Sequence, residues 1–251
     1  MIRTQFIAKF ALAVGATVLI SCASPNINAV PAKPAPTASP APLTFSDGLH
    51  WFRDSAEQQA IYLETYREAS QAARSLSYGL ATQSWGVILD IDETVLDNSE
   101  YMKRLALAGQ QFDPHTWDAW VQERNATALP GAKVFIDSVL DQLHGQIILV
   151  TNRTQAQCDA TEDNLRRASL RYSRILCDRV GSGDKNGRFR SIVNGEPGTE
   201  PPLNVLIWIG DNIRDFPELD QNSPGDLARF GTHFFALPNP MYGSWQKVPQ
   251  H

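Results

Sequence analysis

Asp90, Asp92, Asp211 and Asp215 are the residues whose types and spacing point to chemistry, because each pair lies at or just past the end of an apolar run. Burying carboxylates side by side is unfavourable, since desolvation and like charge both oppose ionisation. A divalent cation removes that objection. An all-oxygen ligand set suits Mg²⁺, which engages few carboxylates and keeps several waters. A single aspartate in such a place is commonly a turn former or a helix cap; an ordered set of four reads as a metal site. Thr151 ends a separate run and Lys185 lies a few residues past another, so a hydroxyl and an ammonium accompany the acids. A cation, a hydroxyl and an ammonium gathered around a carboxylate suit a reaction in which negative charge develops on an anionic substrate.

The elements that must position these groups are legible as four apolar runs: Trp85–Asp90, Gln146–Thr151, Arg174–Asp178 and Asn204–Asp211. Val87-Ile88-Leu89 and Val205-Leu206-Ile207-Trp208-Ile209 do not alternate with polar residues, the pattern of parallel strands buried on both faces. Helical segments lie between and before them. Ala56, Ala60, Leu63, Tyr66, Ala69, Ala73, Leu76 and Leu80 recur at spacings of three and four, predicting an amphipathic helix over 55–80 with Ser55 as its cap. Pro130–Gly145 has Pro and Gly at its start and Gly just past its end. Thr154-Gln155-Ala156-Gln157 has the form of a capping box. Strand alternating with helix predicts an α/β domain with a central parallel sheet, whose ligands sit at the carboxyl ends of the strands.

Asp90-Ile91-Asp92-Glu93-Thr94 resembles the first motif of the haloacid-dehalogenase-like (HAD-like) superfamily. Thr151, Lys185 and Gly210-Asp211-Asn212-Ile213-Arg214-Asp215 resemble the second, third and fourth. Asp90–Tyr101, Leu129-Pro130-Gly131-Ala132, Val150-Thr151-Asn152-Arg153 and Leu237–Gly243 are similar to the class C acid phosphatases, the bacterial lipoprotein e(P4) family of 5′-nucleotidases. The resemblance implies a three-layer Rossmannoid domain over residues 46–251, with a small α-helical cap inserted after the first motif at about 98–129. It implies an Mg²⁺-dependent phosphomonoesterase in which Asp90 becomes an aspartyl-phosphate and Asp92 serves as acid and then base, also lending the metal its backbone carbonyl. Thr151, Asn152 and Lys185 would bind the phosphate, and Asp90, Asp92, Asp211 and Asp215 would hold the metal. The alternative for Lys185 is a surface lysine of the Gly181–Gly187 loop.

A cap of about thirty residues leaves the site open to leaving groups of varied size. It carries Phe112, Trp117 and Trp120, whose faces suit stacking a nucleobase; the alternative for the two tryptophans is the core of the cap itself. Phe112 and Tyr242 match positions where the family stacks a nucleoside, which makes a 5′-nucleotide the first expected substrate. Two other functions stay open: a ligand-binding surface lipoprotein with a vestigial site, and a phosphotransferase of the same superfamily.

Residues 1–21 hold no acid, and Arg3 and Lys9 precede or flank an apolar run, Phe10 to Ile20, too short to span a bilayer. Leu19-Ile20-Ser21-Cys22 resembles a bacterial lipobox. The expectation is a signal peptide over 1–21, an acylated Cys22 and an Ala/Pro-rich tether over 22–45, with six prolines after the cysteine. Ala23 in place of Asp then implies the outer membrane, periplasmic or surface facing. Without residues 1–21 the chain has 20 basic side chains against 27 acidic ones. That balance excludes a basic binder of nucleic-acid polymers, while a homodimer is left open. Cys158 and Cys177 remain, and spacing does not decide between a disulfide and two buried thiols, the thiols being the favoured reading.

Overall fold

A computed structural model of the chain describes residues 45–196, 200–225 and 227–250. The signal segment, Cys22 and the proline-rich tether lie outside the described residues. Five parallel strands form the central sheet: β1 (Trp85–Leu89), β4 (Gln146–Thr154), β5 (Arg174–Asp178), β6 (Asn204–Gly210) and β7 (Phe234–Ala236). Their order is β5-β4-β1-β6-β7, so β1 is central and the chain crosses to either side of it. The four expected runs are four of these strands. The fifth, β7, was not expected, because three residues give no periodicity to read.

Successive residues of each strand point to opposite faces of the sheet, and the core divides accordingly. Val87, Leu89, Ile147, Leu149, Ile207 and Ile209 belong to one cluster, beneath α2 (Ala56–Leu76), α5 (Ala132–Asp137) and α6 (Cys158–Arg167). Ile88, Ile148, Val150 and Trp208 belong to the other, with Phe189 and Ile192 of α7 (Asn186–Asn194). Helices therefore cover both faces, giving three layers. The segment expected to be a cap holds α3 (Ser99–Ala108) and α4 (Pro114–Glu123). Its ends are tied together by a short antiparallel pair, β2 (Leu96–Asp97) with β3 (Thr127–Ala128).

The helical expectations hold in part. The segment before β1 is two helices, α1 (Asp47–Asp54) and α2, and Ser55 caps the second by accepting from Gln58 N at 3.1 Å. The buried stripe of α2 is Gln58, Tyr62, Tyr66, Ala69 and Ala73; the last three are expected, whereas Ala56, Ala60 and Leu63 are exposed and Leu80 is exposed beyond the end of the helix. The reason is polar as well as apolar: Tyr62 and Tyr66 donate their hydroxyls to the carbonyls of Glu93 and Thr94 at 2.7 and 2.8 Å, turning that face toward the loop after β1. Finally, α5 ends early and continues as one π-helical turn over Ser138–Gln142. The capping box at Thr154 is present and opens a 3₁₀ turn that runs into α6.

Cys158 and Cys177 are joined in a disulfide, with Cα atoms 6.1 Å apart, rather than held as separate thiols. The bridge links the start of α6 to β5. Asp178, the next residue, accepts from the backbone N–H groups of Val180, Gly181 and Gly183 at 2.9–3.0 Å. Burial opposes its charge, but those three donors outweigh it and hold its carboxyl below the usual range. They also shape the loop that leads to Lys185.

Candidate active site

The strand ends bring the expected residues to one edge of the sheet. Asp90 directly follows β1 and donates its backbone N–H to Ile209 O at 3.0 Å, which keeps the start of the loop in line with β6. Asp211 directly follows β6, and a 3₁₀ turn, Ile213–Asp215, returns Asp215 beneath it. That return needs Gly210: a Cβ at this position would overlap the Asp215 side chain. Asp215 Oδ2 accepts from Asn212 N at 2.8 Å, so one carboxylate oxygen fixes the turn while the other faces the site.

Carboxylate oxygens of Asp90, Asp211 and Asp215 lie within 4.8 Å of one another. Lys185 is buried between two of them; its Nζ donates to Asp90 Oδ1 and, at 2.6 Å, to Asp215 Oδ1. One ammonium among three carboxylates leaves a negative excess in a site that excludes most water. Burial raises the carboxyl of Asp90 to about 7, with Lys185 opposing the shift and Asp215 and Asp92 adding to it. Asp211 is likewise pushed well up by burial, and then by Asp215 and Asp90. Burial opposes the charge on Lys185, yet Asp215 and Asp90 outweigh it and its pKa lies above the ordinary value. An oxygen-only donor set carrying excess negative charge fits a hard divalent cation. Asn239 donates to Asp211 Oδ2 at 2.8 Å and holds that ligand in place.

Asp92 stands apart from this cluster. Its carboxylate is turned away to Arg153 and to Asn98, with the shortest contacts at 2.7 and 2.8 Å. Its side chain is therefore not among the clustered metal-ligating groups. Thr151 is fully buried at the end of the regular pairing of β4, where its Oγ1 accepts from Arg153 N at 3.0 Å and its own proton stays free to be donated. The side chain of Asn152 is engaged within the protein: its amide donates to Gly183 O at 3.1 Å and its oxygen accepts from Arg188 at 2.6 Å. Arg188 also donates to Thr151 O, so the pair clasps the Lys185 loop onto β4. Among the described residues, Asn152 acts as a clasp.

The aromatic residues divide. Phe112 is 62% exposed and packs against half-buried Trp117 and buried Tyr101, with the Tyr101 and Trp117 rings 5.2 Å apart. Trp120 is buried, donates its indole N–H to Asn98 at 2.8 Å and lies under the Arg104 guanidinium at 5.0 Å. Neither face is open to a base, which corrects the expectation that it stacks substrate. Tyr242 is half-buried in a turn that Asn239 ties to Asp211. Arg153, Asn98, Arg188 and Asn239 were not singled out from sequence. Only Arg153 carried a signal: it lies two residues after Thr151 on an extended strand, and so on the same side.

The family model for HAD superfamily, subfamily IIIB (acid phosphatase), matches residues 16–245. This chain belongs to that acid phosphatase family. The class C acid phosphatase from Bacillus anthracis superposes with a TM-score of 0.70 at 28% identity, over 79% of this chain and 85% of that one. A second structure of that enzyme, with tungstate bound, gives a TM-score of 0.70 at 27% identity. Acid phosphatase 1 of Solanum lycopersicum is 27% identical over 70% of this chain and 65% of its own length. The stem 28 kDa glycoprotein of Glycine max is 27% identical over 74% of this chain and 73% of its own. The chain is thus a phosphomonoesterase on a HAD-like α/β fold, and the cluster around Asp90 lies where such a sheet binds its ligand.

Proposed function

We propose that this acid phosphatase hydrolyses phosphomonoesters, 5′-nucleotides first among them, through a covalent phosphate on Asp90 and with Mg²⁺ as its metal. The observation that carries the reading is the packing of Asp90, Asp211 and Asp215 around Lys185 at the carboxyl edge of the sheet. Mg²⁺ held by Asp90, Asp211, Asp215 and the Asp92 carbonyl supplies charge neutralisation between the anionic substrate and the anionic nucleophile. Lys185 and the Thr151 hydroxyl hold the phosphoryl oxygens on which charge develops. The Asp90 carboxylate attacks phosphorus as the leaving oxygen departs, and Asp92 gives that oxygen a proton. Water then displaces Asp90 from phosphorus while Asp92 takes the proton back, so one difficult displacement becomes two.

The tungstate in the Bacillus anthracis relative, a tetrahedral oxyanion like phosphate, supports a site for such a group. The exposed ring of Phe112, together with the half-buried rings of Trp117 and Tyr242, supports an aromatic leaving group. The N-terminal segment suggests lipidation at Cys22 and an outer-membrane location. Metal-stripped protein assayed with and without Mg²⁺ tests the reading, using 5′-nucleotides, phosphosugars, aryl phosphates and phosphotyrosine. Phosphate release that requires the ion and favours nucleotides is expected. Undiminished release in excess EDTA would overturn the metal assignment, and indifference to the base would overturn the substrate.

A further inference from the structure

The carboxylate of Asp92 is held by two buried groups, Arg153 and Asn98. Arg153 is 2% exposed although it is among the largest side chains in the core, so it has no surface to offer a ligand. Its Nη2 and Nε donate to Asp92 Oδ1 at 2.7 and 3.0 Å, and Asn98 Nδ2 donates to the same oxygen at 2.8 Å. The other oxygen, Oδ2, has one longer contact, to Arg153 Nε at 3.3 Å. The Asn98 amide cannot be turned round. Its oxygen accepts from the Trp120 indole at 2.8 Å and from Arg153 Nη2 at 3.1 Å, and both of those groups only donate. Asn98 must therefore present its NH₂ to Asp92.

The remaining contacts anchor this assembly on two elements. Arg153 Nη1 donates to Thr161 of α6 at 3.2 Å, and the guanidinium lies 5.5 Å from the centre of the Trp117 ring. Trp117 and Trp120 are three residues apart on α4, so a single helix of the cap touches both Arg153 and Asn98.

We propose that Arg153, Asn98 and Trp120 are positioning residues that saturate Asp92 Oδ1 with donors and so leave Oδ2 as the oxygen that carries and delivers the proton. The cap then does more than frame the entrance: through Trp120 it fixes the orientation of the acid. The inference rests on the reading that Asp92 is the general acid. In the first half-reaction the bond from Asp90 to phosphorus forms and the bond to the leaving oxygen breaks. The electron pair goes to that oxygen, which takes the proton from Oδ2.

A good leaving group needs no proton and a poor one does, so the test is the dependence of kcat/KM on the leaving group. This parameter reports the first half-reaction alone. Arg153→Met, Trp120→Phe and Asp92→Asn are compared with wild type on 4-nitrophenyl phosphate, phenyl phosphate and a 5′-nucleotide. Asp92→Asn is expected to lose about 100-fold or more on the nucleotide and far less on the nitrophenyl ester, within the range of general acid catalysis. Arg153→Met should follow the same pattern. Trp120→Phe, which keeps an aromatic ring and removes the donor that orients Asn98, should lose roughly 10-fold on the nucleotide alone. Equal losses on all three esters in Arg153→Met and Trp120→Phe, beside a steep dependence in Asp92→Asn, would overturn the positioning role. A flat response in Asp92→Asn would instead overturn the assignment of Asp92 as acid.

Discussion

Lys185 shows what one side chain does at this edge. It is buried with Asp90 and Asp215, and each carboxylate would otherwise be a desolvated charge facing a like charge. Removing one partner of such a cluster is costlier than never having built it, because the others stay buried without compensation. Lys185→Met is therefore expected to destabilise the metal-free protein by about 3 kcal/mol or more, measured by urea denaturation in EDTA. It should also lose most of its turnover, because an ammonium leaves the phosphoryl oxygens. A variant as stable as wild type would show that the acids are already neutral without it. The sequence placed Lys185 in a glycine-rich loop and left a surface role open; burial decides between them. Sequence could not show the partners of Asp92. Arg153 and Asn98 lie 61 and 6 residues from it, and only the folded strand and cap bring them together.

Elements carry the site through close approaches and cross-links. β1, β4 and β6 are legible because runs of unalternating apolar residues stop at Asp90, Thr151 and Asp211. The stripe on α2 is legible only in its second half, Tyr66, Ala69 and Ala73; a count of apolar residues does not foresee Gln58, or Tyr62 turning its hydroxyl to a backbone carbonyl inside the core. Gly210 is a constraint of the same kind, invisible until the 3₁₀ turn folds back. Gly210→Ala should displace Asp215, weaken Mg²⁺ binding by roughly 10-fold or more as an orienting group is lost, and leave the fold intact; metal titration followed by calorimetry reads it. Unchanged affinity would mean that the turn relaxes around the methyl group. The disulfide spans 19 residues and ties α6 to β5 beside the Asp178 loop. Cys158→Ser with Cys177→Ser is expected to cost about 3 kcal/mol in denaturant unfolding, with turnover of the folded fraction largely kept.

At the scale of the whole molecule, an acidic protein acts on an anionic substrate, and the concentration of buried acids at one edge sets its response to pH. Asp90, raised to about 7 by burial, and Asp211 and Glu93, both pushed well up by burial first, hold protons more tightly folded than unfolded. From the ordinary carboxylate range up to about pH 7 the folded state therefore binds more protons than the unfolded state. Stability of the metal-free protein falls as pH rises through that window and is greatest below it, as far as these groups are concerned. Ligand carboxylates must lose their protons to bind a cation, so Mg²⁺ should raise the melting temperature more at about pH 7 than at about pH 5. Thermal melts at both pH values, with Mg²⁺ and with EDTA, check this; an equal shift at both would place the protons elsewhere.

Asp90 is the group on which the proposed chemistry turns. Its most direct test is rapid acid quench of the Asp92→Asn variant with a nitrophenyl ester, followed by mass spectrometry of the peptide that contains Asp90. That variant can still form the intermediate with a good leaving group but lacks the base that hydrolyses it. A phosphate-mass addition on Asp90, absent when Asp90→Asn is combined with it, is the expected result. Substrate turnover in Asp90→Asn alone at the wild-type rate, with no labelled peptide under any condition, would contradict the account.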